Sequence, residues 1–213
     1  MTCSGSAGRG SPGSPAAIVS YPLGTVGAMR AVILEVDERM LAERRRLGLD
    51  HLDEMWEGVL HVVPQPTSRH QIIATALAHH LFDAAERRGL LVATEISVFA
   101  GDADYRVPDV SVFPVSARSP RGVDGPPLLV VEVRSPNDES YDKVAWYLAR
   151  GAGSVVVVDQ ATFSVEVFTA EGEGRPDPDG LVAIAGLDVR LGPSADGAAL
   201  VVETEDGTQR VEG

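Results

Sequence analysis

Three side chains stand where a charge is costly or rare. Asp109 follows Pro108 in "RVPDVSVF", and Glu132 interrupts the apolar run "LLVVEV". Lys143 is the single lysine of a chain with 18 Lys plus Arg. An ionised carboxylate in or beside a hydrophobic strand is expensive unless it is paired or bound to a cation. Either acid alone could face solvent at a strand edge, which is the commoner arrangement. Two on successive strands change the balance, because neighbouring strands run about 4.8 Å apart and side chains on one face can converge. Such a pair suits a hard divalent ion such as Mg²⁺ or Mn²⁺. Mg²⁺ takes one or two carboxylates and leaves its other positions to water and phosphate oxygens. Lys143 comes eleven residues after Glu132, in the second turn of a predicted helix. Its long stem could return to the carboxyl end of the strand that carries Glu132.

The elements that must position these groups are legible. "SRHQIIATALAHHLFDAAERRGL" predicts the clearest helix, with Ile73, Leu77, Leu81 and Ala85 recurring every four positions, Ser68 as its cap and Gly89 as its end. "DERMLAERRRLGL" predicts a shorter amphipathic helix, and "MWEGVLHVV" a strand or strand pair. "LLVATEISVFA", "YRVPDVSVF" and "PPLLVVEVRS" each predict a strand. The last is almost continuous in Leu and Val, the pattern of a strand buried on both faces. "DESYDKVAWYLARG" predicts a helix ending at Gly151, "SVVVVD" another buried strand, and "TFSVEVFTA" an antiparallel one. Helix, three strands, helix and strand make an α/β core with a mixed sheet, followed by extra antiparallel strands at the C-terminus.

The chain has 213 residues and a net charge of −13. Eleven of its 31 acidic residues but only 3 of its 18 basic ones fall from Thr162 onward, so the acidity concentrates at the C-terminal end. No segment carries the basic footprint of a sequence-independent nucleic-acid binder. Cys3 is the only cysteine, which excludes a disulfide framework or a cysteine-ligated metal. Residues 1–28, rich in Gly, Ser and Pro, are expected to be a disordered extension, with Met29 an alternative start to Met1. Residues 29–213 are expected to form one domain, with a core at about 55–168 and an acidic, β-rich part at 169–213. No apolar run reaches the roughly 20 residues that span a bilayer. The amino terminus lacks a signal-peptide core, so no membrane association and a cytoplasmic location are expected.

"PD" at Pro108-Asp109 followed by "EVR" at Glu132-Val133-Arg134 resembles the PD-(D/E)XK signature of restriction-endonuclease-like enzymes, with Arg134 in place of the usual lysine. "WEGVLHVVPQPTSRHQ", "RVPDVSVF" and "LLVVEVRSPNDESYDKVAWYLARGAGSVVVVD" occur in that order, and over about Met55 to Phe168 the chain is similar to the Uma-two family of restriction-endonuclease-type bacterial proteins. In that family the lysine stands on the following helix, four residues before a tyrosine. Lys143 and Tyr147 match this, and Glu139 keeps the negative charge of an aspartate four residues before the lysine. The resemblance implies a restriction-endonuclease-like core, with Asp109 and Glu132 as metal ligands and Lys143 beside an attacking water. It also implies a homodimer, as do the short strands after Thr162, whose edges invite pairing.

Other candidates carry weaker signals. His70, at the start of the long helix, matches a histidine common there in the family and could reach the site, or serve as a cap. Glu95 could be a third acid or a surface residue. Arg106 could hold a phosphate or pair with an acid. Trp146 reads as core or interface rather than a base-stacking platform. His79 and His80 are adjacent and cannot form an i, i+4 zinc pair. Two functions follow: a Mg²⁺-dependent endonuclease acting on DNA, or a non-catalytic binding or structural protein on the same fold. The −13 charge and Arg134 favour the second.

Overall fold

A computed structural model of the protein describes residues 31–136 and 138–213. The expected extension at 1–28 therefore lies outside the described residues. The described residues begin with strand β1 (Ala31–Ile33) and helix α1 (Glu38–Leu47), which is capped by the Asp37 carboxylate accepting from Met40 N and closed by Gly48 in the left-handed region. The "MWEGVLHVV" segment is a hairpin, β2 (Glu54–Trp56) and β3 (Val59–Val62). Helix α2 (Ser68–Glu86) follows. Its cap is Thr67, whose hydroxyl accepts from His70 N at 3.2 Å, rather than Ser68. Both residues have hydroxyls, and sequence pattern alone cannot say which one keeps the extended backbone of a cap.

Two segments that read as single strands are each divided. "LLVATEISVFA" forms β4 (Leu90–Thr94) and β5 (Val98–Gly101), with Glu95 at φ +51° turning the chain between them. "YRVPDVSVF" forms β6 (Asp104–Arg106) and β7 (Val110–Pro114), broken at Val107-Pro108-Asp109, where proline offers no N–H to a ladder. Short β8 (Arg118–Ser119) and β9 (Gly122–Val123) precede β10 (Leu129–Arg134), helix α3 (Ser140–Ala149) and β11 (Ser154–Asp159). The chain ends with β12 (Val165–Thr169), β13 (Gly172–Glu173), β14 (Val182–Ile184), β15 (Val189–Pro193), β16 (Leu200–Thr204) and β17 (Gly207–Val211).

These strands make three sheets. One has the order β1-β3-β2-β6-β5-β9-β8, the second β13-β12-β11-β10-β7-β4, and the third β14-β15-β16-β17. The chain thus crosses from the second sheet to the first after β4, and returns after β6. In the second sheet β10 pairs parallel with β11 and antiparallel with β7, so the expected mixed sheet is present. Leu129, Val131 and Val133 pack with Ile73, Leu77 and Leu81 of α2 and with the third sheet in one apolar cluster. Val130 faces the other way, toward Tyr147 of α3 and Phe113. Alternation puts Glu132 on that second face, where a core side chain would otherwise sit. Among the described residues, no helix is long and apolar enough to cross a membrane.

Candidate active site

The ladder between β7 and β10 pairs Val110 with Val131, Ser111 with Val130 and Val112 with Leu129. One step further along that register brings Asp109 opposite Glu132. Directly opposed residues on antiparallel strands share a face, which gives the convergence that the two acids require. Asp109 lies in the break after Pro108 rather than within a strand, and its Oδ2 accepts from Val133 N at 2.6 Å. The carboxylate thereby occupies a backbone donor just past the last ladder pair.

Helix α3 supplies the opposing charge. Ser140, Lys143 and Tyr147 recur at helical spacing and are its buried residues. The Lys143 ammonium donates to Glu132, 3.0 Å from Oε2 and 3.3 Å from Oε1, and the Tyr147 hydroxyl donates to Glu132 Oε1 at 2.9 Å. A third carboxylate completes the cluster. Glu54, at the start of β2, brings Oε1 to 2.8 Å from Lys143 Nζ. Its Oε1 also accepts from Val107 N at 2.9 Å, and its Oε2 from Trp56 Nε1 at 2.7 Å. Glu54 is 1% exposed, Glu132 3% and Lys143 9%, so solvent screens these charges little.

Burial pushes the Glu132 carboxyl well above the usual carboxylate range; Lys143 opposes this, while Asp109 and Glu54 add to it. Burial would lower the Lys143 ammonium, but Glu132 and Glu54 outweigh it and hold the group protonated. Burial and the nearby carboxylates also raise the Tyr147 hydroxyl, which therefore stays neutral and donates. Three carboxyl groups thus face one lysine, with Glu132 held toward its neutral form. His70 Nε2 lies 3.2 Å from Asp109 Oδ2, and that contact raises the His70 pKa against the downward effect of burial.

Among the described residues, no three His, Cys, Asp or Glu side chains form a ready-made metal cage. The donor set is nevertheless of the kind Mg²⁺ or Mn²⁺ takes, hard carboxylate oxygens with positions left for water and phosphate. Both of these Asp109 side-chain contacts use Oδ2.

The remaining candidates divide. Glu95 is adjacent through its backbone, with its N–H donating to Asp109 O at 3.3 Å, but its carboxylate is taken by Gln71 Nε2 at 2.6 Å and His51 Nε2 at 3.2 Å. Arg106 is engaged with protein partners through Nη1. It is 4% exposed, pairs with Asp104 at 2.8 Å and donates to the Met55 and Tyr105 carbonyls. Arg134, in the position of the usual lysine, pairs with Asp159 at 2.7 Å. Glu139 lies 3.0 Å from His61. Glu54 was not singled out from the sequence. In "HLDEMWEG" it sits among other acids at the start of a three-residue strand, and nothing local marks it as inward-facing.

A mixed sheet with two carboxylates at the adjoining ends of its strands, facing a helix that carries a lysine and a tyrosine, defines a restriction-endonuclease-like α/β protein. The family model Uma2, described as "Putative restriction endonuclease", matches residues 48–188, and the chain belongs to this family. No curated protein sequence matches it. The crystal structure of "a putative nuclease belonging to DUF820" from Anabaena variabilis ATCC 29413 aligns with a TM-score of 0.55 at 21% identity, covering 63% of this chain and 82% of that one, a likeness of fold. A cryo-electron-microscopy structure of a DrdV–DNA complex aligns over 48% of this chain and 9% of that one, at 20% identity and a TM-score of 0.33.

Proposed function

We propose that this protein is a divalent-metal-dependent endonuclease hydrolysing phosphodiester bonds of DNA. The convergence of Asp109 and Glu132 at adjoining strand ends, beside the buried Lys143, carries this reading, and the family to which the chain belongs supports it. Asp109 and Glu132 would hold Mg²⁺ or Mn²⁺, which when bound supplies Lewis-acid stabilisation of the phosphate and a more acidic water. Lys143, whose ammonium Glu132 and Glu54 stabilise, would orient the attacking water or place a positive charge beside the developing phosphorane-like oxygens. Glu54 and Tyr147 position it, one through the ammonium itself and the other through Glu132. His70 orients Asp109.

A non-catalytic relative of the nuclease fold is the second reading, favoured by the net charge of −13. Thermal melting separates the two. Millimolar Mg²⁺ or Mn²⁺ is expected to raise the melting temperature of the parent, and Asp109→Asn is expected to remove that response. An indifferent parent, or a response that survives the substitution, favours the non-catalytic reading.

We further propose a homodimer. Strand β4 is an outer strand of the second sheet, and Ile72 and Phe82 of the neighbouring α2 are half exposed. An open edge beside apolar side chains is a surface that pairing would cover. Light scattering at micromolar concentration is expected to give twice the 22.5 kDa chain mass; a monomer mass alone would remove the proposal.

A further inference from the structure

An open surface cavity of about 590 Å³ lies between the β2–β3 hairpin and α3, within the volume range of small-molecule sites. Its wall is a ladder of stacked groups. The His61 and Trp56 rings are 4.1 Å apart and nearly parallel, and the Arg106 guanidinium lies 4.3 Å from the centre of Trp56 and 4.5 Å from that of Trp146. Carboxylates fix both indoles, Trp56 through Glu54 at 2.7 Å and Trp146 through Asp104 at 3.0 Å. The hydrogen bonds of Arg106 all leave from Nη1, and its buried Nε has no partner among the described residues. Glu57 and Asp142, both exposed, stand at the rim.

The chemistry of this wall selects its ligand. Both faces of Trp56 are covered, by His61 and Arg106, so the part it presents to the cavity is a ring edge. Ring edges carry the positive side of the aromatic quadrupole and favour the π face of another ring. A cationic ligand would meet those edges and Arg106, and a phosphate would meet Glu57 and Asp142. A neutral heterocycle meets neither repulsion, and its amino groups would donate to the two rim carboxylates. Side-chain contacts link the cavity wall to the site. Trp56 bonds to Glu54, Glu54 to Lys143, and Asp142 precedes Lys143 on α3.

We infer that this cavity is a subsite for an unpaired nucleobase of the substrate strand, next to the phosphate that the carboxylate cluster would receive. This rests on the nuclease reading for the identity of the strand, though base binding is measurable without cleavage. A base within a duplex keeps its faces stacked and its amino group paired, so a substrate using this subsite would be single-stranded or give up a base from the stack.

The chain's two tryptophans, Trp56 and Trp146, both line the cavity, so intrinsic fluorescence reports on it. The probes are single-stranded oligodeoxynucleotides of about 12 nucleotides, within the site sizes of single-strand binders, titrated in EDTA. Oligo(dC) is expected to give a saturable change. An abasic strand of equal length is expected to need at least about 10-fold more, the scale of one lost base contact. Oligo(dT), which lacks an exocyclic amine, is expected to bind more weakly than oligo(dC). Ala145→Leu, which fills the cavity from an exposed helix position, is expected to abolish the difference between oligo(dC) and the abasic strand. Equal binding of the abasic strand or of oligo(dT) would overturn the assignment. So would a response to an arginine-rich peptide and not to DNA. If Mn²⁺-dependent cleavage is present but no probe alters the fluorescence, the subsite fails and the nuclease reading stands. If the base-dependent change is present without cleavage, the subsite stands and the nuclease reading fails.

Discussion

Glu132→Gln is expected to fold as the parent does and to lose Mn²⁺-dependent cleavage of plasmid DNA by about 1,000-fold, equivalent to roughly 4 kcal/mol of transition-state stabilisation. Folding should survive because the amide keeps the shape of the side chain and removes one of the cluster's two buried carboxylates. Lys143 retains Glu54 at 2.8 Å as its partner, and the Tyr147 hydroxyl can still donate to the amide oxygen. Activity should not survive, because a neutral amide is a poor ligand for a hard cation and Asp109 alone is left to hold it. Melting at the parent temperature together with undiminished cleavage would show that Glu132 takes no part in the chemistry.

Lys143 provides the second large effect, through two substitutions that separate charge from position. Lys143→Met leaves Glu54 and Glu132 buried beside each other with no cation. Removing one partner of a buried ion pair costs about 3–5 kcal/mol. In a chain of this size that corresponds to a fall in melting temperature of roughly 6–20 °C. Adding Glu132→Gln to that variant should restore part of the loss, since the two sites are coupled through one contact. Lys143→Arg keeps the charge and should retain most of the stability. Its broader guanidinium would displace the charge, and misplacement of about 1 Å can cost on the order of 100-fold in rate. An unchanged melting temperature for Lys143→Met would disprove the counter-ion role, and full activity in Lys143→Arg the positional one.

The parts of this site legible in the sequence are those whose pattern breaks a rule. Glu132 is visible because it interrupts a run of Leu and Val, and Lys143 because it is unique and lies a helical turn from Tyr147. Their meeting follows from periodicity, since alternation along β10 and the i, i+4 spacing on α3 both aim inward. Glu54 breaks no local rule, and its burial is decided by Lys143, almost ninety positions later. The division of "LLVATEISVFA" and "YRVPDVSVF" between two sheets is hidden for a similar reason. Alternating apolar residues specify a strand but not the sheet it joins, and only Pro108 hinted at a break. Arg106 read equally well as a phosphate ligand or a structural pair. The choice fell to Asp104 and two indoles, whose proximity no spacing rule predicts.

The repeated crossing of the chain between the first and second sheets divides the labour of the site. Glu132 belongs to the second sheet and Asp109 directly precedes one of its strands, while Glu54, Trp56, His61 and Arg106 belong to the first. The hairpin of β2 and β3 can therefore accumulate changes in the cavity wall without altering the strands that carry the two acids. A lineage built on this arrangement is free to diversify what it recognises while the chemistry it inherits stays fixed.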